Sequence, residues 1–204
     1  RNRFRDVYRG DPVCLGHDSS RTAFGRCKPV RGEVVPGDDR RVRLTFEDPK
    51  DNPANKAKSG KRTACEMKAT WIGTSLTIFR GRGAGQSRTI TSISDDWTRI
   101  GIDRPFGVSP DETSWMYVSY ERRHVLMIDN TYVDAGTAVE LYGGANEYII
   151  ARNESRRGGG FKAFGFEYSG VIPCWRIQFL DNVISEGSGE RRDSDITARV
   201  EDFP

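Results

Sequence analysis

Three segments of this 204-residue chain align on an asparagine, and that spacing most constrains the fold. They read "HVLMIDNTYVDAGTAVELYG", "EYIIARNESRRGGGFKAFGF" and "WRIQFLDNVISEGSG". The anchors Asn130, Asn153 and Asn182 are 23 and 29 residues apart, the longer gap holding the extra "EYSGVIPC". Three and five residues before each anchor stand apolar side chains: Met127 and Val125, Ile150 and Tyr148, Phe179 and Ile177. Two residues after it come Tyr132, Ser155 and Ile184. This is the alternation of a strand. Asparagine tolerates the left-handed backbone of a tight bend, so equivalent asparagines can hydrogen-bond in a row when such segments stack. No single segment can bury its apolar face alone, so stacking must supply the core.

The N-terminus supplies a partial fourth copy. In "RNRFRDVYRGDPVCLG", Asn2 is the anchor, Phe4 follows two residues later, and Val13 and Leu15 precede Gly16. Val139 and Leu141 hold the matching places before Tyr142-Gly143. The pattern then stops and resumes near Arg123.

On these asparagines, spacings and glycines the chain resembles the right-handed parallel β-helix superfamily, which includes pectate-lyase-like enzymes and phage tail spikes. The resemblance covers residues 1–16 and roughly 121–190. It implies an all-β protein with about four coils, part of a longer solenoid, in a stack ~15–20 Å tall. Residues 1–16 would form the first, partial coil, 17–120 an inserted β-rich module, and 121–204 the remaining coils and a C-terminal tail. Twenty-two glycines and many β-branched residues agree with an all-β chain. So short a stack has two exposed ends, to be covered by the insertion, more chain or other copies.

Within 17–120, "RVRLTF", "SLTIFRG", "QSRTITSIS", "WTRIGID" and "SWMYVSY" read as strands, and "EDPKDNPANKAKSGKR" as a solvated loop. Gly60-Lys61 lacks the remainder of a phosphate-binding loop, since Asn55 stands at the leading glycine position and Arg62 follows the lysine. "GRGAGQSRTI" looks like a phosphate cradle at first. However, Gln86 replaces the third glycine of a dinucleotide fingerprint, and a β-branched run follows where a helix is needed. The segment is therefore expected to be a glycine-rich connection between strands, in which Gly81, Gly83 and Gly85 permit positive φ. The run from it to "PDETSWMYV" resembles a small β-module found beside β-helices and in phage tail proteins. Arg88 and Arg104 are its candidate ligand or loop-bracing groups.

A net charge of +3 without a concentrated basic face argues against nucleic acid as partner. No apolar run is long enough to span a bilayer, and the start without methionine reads as a mature or excised piece of an exported, extracellular protein. The cysteines, Cys14, Cys27, Cys65 and Cys174, lack zinc-site spacing. A local Cys14–Cys27 disulfide and four reduced, buried thiols both fit.

In the enzymes this chain resembles, loops around one sheet form a cleft for an extended sugar chain. Alternation turns Glu140 outward there, with Cys14 its counterpart; an extra glycine in "GGGFKAFGFE" leaves the phase of Lys162 open, and His17, just beyond Gly16, lies at the edge of this surface. A lyase needs a base beside a uronate carboxylate: Lys162, His17 and Arg176 qualify, and Ca²⁺ would join them, although no Asp cluster of calcium spacing is present. A glycosidase needs two carboxylates, for which Glu140 and Glu167 are the candidates. Arg156 in "RNESRR" is a further candidate for an acidic saccharide, against its reading as a solvated corner. Asn153-Glu154-Ser155 matches a glycosylation sequon, but Asn153 is read as a buried anchor. No other cofactor is implied. Two functions are thus expected: an exported protein that binds or processes polysaccharide, or a non-enzymatic assembly protein whose ends meet other copies or a longer chain.

Overall fold

A computed structural model describes residues 2–5, 30–55, 68–142, 144–164, 166–167, 171–187 and 197–199. The chain divides into two compact units, Arg1–His17 with Glu121–Phe166 and Pro173–Pro204, and Asp18–Tyr120 with Glu167–Ile172. Cys14, Cys27, Cys65 and His17 lie outside the described residues.

After the short strand β1 (Arg3–Arg5), six strands form a closed antiparallel barrel. These are β2 (Val30–Val35), β3 (Asp38–Thr45), β4 (Ser75–Arg80), β5 (Ser87–Ile93), β6 (Arg99–Ile102) and β7 (Trp115–Ser119). The order is β2-β3-β6-β5-β4-β7, and β7 pairs back with β2 to close the ring. Alternating side chains fill it: Val42, Leu76, Ile78, Ile90, Ile100 and Met116 are fully buried. Gly32 makes room for this core, because a Cβ there would meet the Met116 sulfur at 2.6 Å. A short helix, α1 (Lys68–Trp71), sets Trp71 edge-on to Trp97 at 5.2 Å. The segment expected to be a solvated loop forms two 3-10 turns, Pro49–Asp51 and Pro53–Asn55. Between them Asn52 is buried and donates to the Asp96 carbonyl.

The other unit holds β8 (Arg122–Ile128), β9 (Thr131–Val133), β10 (Val139–Tyr142), β11 (Ala145–Ala151), β12 (Glu154–Arg156) and β13 (Phe161–Phe164). It also holds β16 (Trp175–Leu180), β17 (Val183–Ser185) and β18 (Thr197–Arg199); the two-residue strands β14 (Phe166–Glu167) and β15 (Val171–Ile172) pair with each other, β15 being counted with the barrel's unit. Three small parallel sheets result: β1-β9-β12-β17, β10-β13-β18 and β16-β11-β8. Tyr132, Val139, Leu141, Tyr148, Ile150 and Phe161 are their fully buried core. Among the described residues no helix is long and apolar enough to cross a membrane, a statement that does not extend to strands.

The expected right-handed parallel β-helix, whether pectate-lyase-like or tail-spike-like, is corrected by this architecture. The main sheet is the closed antiparallel barrel, and the parallel strands form only three small sheets, not a repeat solenoid. The physical reason lies in residues 30–119. Short antiparallel strands joined by tight connections, such as the Gly37 turn at φ 82°, bury one common face and close on themselves. Local alternation announces such strands, whereas closure is a property of their pairing order.

Candidate functional site

The chemistry-bearing residues are best followed through the parallel sheets, one sheet at a time. In β10 and β13, Val139 and Leu141 point into the core, which turns Glu140 the other way, in register with Lys162. Glu140 is nonetheless 8% exposed and Lys162 half-buried, and both are engaged in further interactions. The pair thus places a carboxylate and an amine on neighbouring strands of one face. Glu167 lies in β14, where only the backbone is described.

The four anchors form one hydrogen-bonded row. Asn2 donates from its backbone N and Nδ2 to Asn130 Oδ1, at 3.0 and 3.1 Å. Asn130 donates in the same two ways to Asn153 Oδ1 at 3.0 and 2.9 Å, and Asn153 to Asn182 Oδ1 at 3.0 Å in both. Nδ2 of Asn153 also reaches the Met127 carbonyl, and Nδ2 of Asn182 that of Ile150. Asn153 is 1% exposed with every polar side-chain atom engaged, so its amide is inaccessible to a glycan.

Beside this row run three rows of ionisable residues, which the sequence reading did not see as rows although it weighed Arg176 among its candidates. The first is Asp129, Arg152 and Asp181, the second Asp134, Arg157 and Glu186, the third His124, Glu147 and Arg176. All nine adopt left-handed backbone, with φ between 50° and 61°. Left-handed φ at Arg and Glu is uncommon and costs energy, so something must hold these corners. Arg152 grips Asp129 through two bonds of 2.9 and 3.1 Å, and Arg157 grips Asp134 through two of 2.8 Å. Glu147 takes His124 Nε2 at 2.6 Å on one oxygen and Arg176 at 3.1 Å on the other. Hydrogen bonds from Arg157 hold the Asp134 carboxyl below its ordinary range, and Asp129 raises the pKa of Arg152. The sequence signal was available: each row repeats at the anchor spacing, and in the first two the charge alternates in sign.

The remaining candidates fall into these same contacts. Arg156 is exposed and paired with Glu154 at 2.6 Å, while Arg176 also reaches Asn146 at 3.2 Å. Cys174 is a half-buried thiol that donates to the Leu141 carbonyl, and burial pushes its pKa up to about 11, the reverse of an activated nucleophile. Among the described residues no three His, Cys, Asp or Glu side chains converge to hold a metal ion.

In the barrel, "GRGAGQSRTI" turns β4 into β5. Gly81, Gly83 and Gly85 have φ of 80°, 83° and 87°, and a Cβ on Gly81 would strike the Thr113 carbonyl at 2.0 Å. Gln86 latches the turn to the neighbouring loop. Its Oε1 accepts from the N–H groups of Gly107 and Val108, and its Nε2 donates to the Val108 and Gly83 carbonyls. Arg88 donates to the Pro105 carbonyl at 2.8 Å and lies over Phe106 at 4.9 Å. Arg104 stands 3.9 Å from Asp103. These groups brace a loop.

No family model, curated protein or solved structure matches this chain.

Proposed function

We propose that this protein is a non-enzymatic structural subunit whose parallel sheets take part in assembly. The observation that carries this reading is the alternating rows of charge. At six positions, Asp129, Arg152 and Asp181 in one row and Asp134, Arg157 and Glu186 in another, charged side chains follow one another in alternating sign along the sheets, and Glu147 joins His124 to Arg176 in a third, an arrangement that uses polar contacts to hold strands together. The edge strands support it as well. β1 and β17 end the four-strand sheet among the described residues, and an unpaired strand edge is a template for another chain.

A second reading is favoured by the Glu140–Lys162 neighbours: binding or processing of an acidic polysaccharide, outside the cell, on the β10–β13 face. One experiment weighs the two. Uronic-acid and neutral polysaccharides are screened for binding and turnover while light scattering follows mass against protein concentration. Assembly without turnover is the expected result. Turnover abolished by Lys162→Ala, with the fold intact, would overturn the structural reading.

A further inference from the structure

Two rows of left-handed corners bound a short facet of the β16-β11-β8 sheet, His124, Glu147 and Arg176 on one side and Asp129, Arg152 and Asp181 on the other. Between them each strand turns two side chains away from the core. They stand in two ranks in register, Leu126–Ile149–Gln178 and Ile128–Ala151–Leu180. Their alternates on β11, Tyr148 and Ile150, are fully buried. Leu126 is 62% exposed, the highest value for a large hydrophobic among the described residues, and Leu180 is 45% exposed. Ile128 and Ile149 are half-buried. Adjoining exposed aliphatic side chains rimmed by charge have the composition of a contact surface.

The two rims differ in sign strand by strand. On β11 Glu147 stands at one rim and Arg152 at the other, and β16 carries Arg176 opposite Asp181. On β8 the His124 ring, 2.6 Å from Glu147, is matched by Asp129. Such a face has one good fit to itself. Turned over about an axis across the strands, a second face sets each rim on the opposite rim, so Glu147 meets Arg152 and Arg176 meets Asp181. Turned over about an axis along the strands, it would set Glu147 on Glu147 and Arg152 on Arg152, and like charges brought together disfavour that arrangement. Shape agrees with the first. It lays Leu126 on Ile128, Leu180 on Gln178, and in the central strand the bulky Ile149 on the small Ala151.

We propose that this facet packs face to face on the same facet of a second copy, about a two-fold axis running across the strands. This deepens the structural reading above and rests on it. Sheets pack in this way at ~10 Å, with the side chains of both faces filling the gap. The contacts along each row stay made, so the second copy adds neighbours of opposite sign at the rims and takes no partner away. Burial of the aliphatic ranks drives the contact, and the rims fix its orientation. Both copies use the same surface, so the contact closes as a dimer. Three short strands offer less area than the ~800 Å² per partner of a standard interface, which makes the dimer weak and dependent on concentration.

Sedimentation of the full chain over a range of concentrations tests the pairing. The wild type should show a monomer–dimer equilibrium. Leu126→Glu and Leu180→Glu, both at exposed positions, should stay monomeric with unchanged circular dichroism melts, and Leu126→Ala and Leu180→Ala serve if either fails to fold. Arg152→Gln should raise the dissociation constant several-fold, because it removes the charge that faces Glu147 on both copies. Val108→Glu, at a position 48% exposed in the barrel's unit, should leave the dimer unchanged. Dimers that survive both leucine changes, or that are lost equally with Val108→Glu, would overturn the facet pairing, as would a wild type monomeric throughout. A dimer unchanged or tightened by Arg152→Gln would overturn its two-fold orientation. The structural reading falls to a different result, polysaccharide turnover lost with Lys162→Ala.

Discussion

The barrel and the parallel sheets both bury an apolar core, yet they treat strand edges in opposite ways. The barrel pairs its first and last members, β2 and β7, so its ladder has no free edge. Side-chain hydrogen bonds there gather at the connections: Gln86 on the 107–108 backbone, Asp96 on Ser94 and Thr98, Asp111 on Thr113. The parallel sheets instead run polar contacts along their length, through asparagines in the interior and ion pairs at the corners. The barrel is stabilised by closure. The parallel sheets gain from each added strand, and among the described residues the four-strand sheet ends on β1 and β17.

The sharpest way to break this comparison is Asn153→Ala. The substitution strands the Asn130 backbone N–H and the Met127 carbonyl in a buried setting, and it interrupts the row in both directions. Unsatisfied buried groups cost ~1–3 kcal/mol each, so a loss of ~3–5 kcal/mol is expected. Asn182→Ala, at the half-buried end of the row, should cost less than half as much. Hydrogen exchange should show lost protection in the parallel sheets with the barrel amides unchanged. Equal effects of the two substitutions would mean that the row does not act as a continuous element.

Leu76→Ala is the matching test of the barrel. Leu76 is fully buried in β4, and such truncations cost ~2–5 kcal/mol. Protection should fall around the whole ring, since no strand can fray from an edge. Loss confined to β4 and its two neighbours would argue that closure contributes little.

How much of this was legible depends on the range of the signal. The intervals of 23 and 29 residues between anchors are those spanned by the side-chain hydrogen bonds, because asparagine at a bend leaves a trace in sequence. The glycine-rich connection was equally readable, since Gln86 and the β-branched run excluded a helix locally. The Gln86 latch was not, because the N–H groups that donate to it lie 21 and 22 residues away in an unremarkable loop. Barrel closure was hidden for the same reason. "VRGEVV", with a glycine in mid-strand, carries weak strand propensity, and only the space needed by Met116 explains that residue. Of the candidate site, Glu140 could be turned outward by alternation, whereas the extra glycine before Phe161 hid the phase of Lys162 until its register with Glu140 was seen. The charged rows went unread because three left-handed corners per segment are not what Arg and Glu suggest.

Two buried tyrosines give a smaller effect that sharpens the comparison through pH. The hydroxyls of Tyr132 and Tyr148 are buried in the parallel-sheet core without a hydrogen-bond partner among the described residues, and burial raises each pKa from 10.0 to about 12. The unfolded chain then loses protons that the folded chain retains. Stability is therefore full below pH 10.0 and falls as pH rises towards about 12. Tyr132→Phe should remove part of this decline and add ~1 kcal/mol near neutrality by deleting an unpaired hydroxyl. Denaturant melts at pH 8 and pH 11 check both statements, and an unchanged slope with pH would contradict the burial argument. The barrel, as read by hydrogen exchange, should not respond.

The smallest expected effect concerns the charged rows themselves. Arg152 and Asp129 are both about half exposed, and pairs of this kind contribute ~0.2–1 kcal/mol, screened by salt. Arg152→Gln should therefore cost no more than that at low ionic strength and almost nothing in strong salt. Its informative readout is Asp129→Asn made on top of it. If the rows act as lattices, the two substitutions together should cost less than their sum, because the second removes a charge already without its partner. A larger signature should come from Arg152→Gly, which relaxes the left-handed corner while removing the ion pair. Gly and Gln variants of equal stability would mean that the corner strain is borne by the backbone pairing of β11 with β8 and β16. A Gly variant more stable than the Gln one would assign the ion pair the task of holding that corner, a task with no counterpart in the barrel strands.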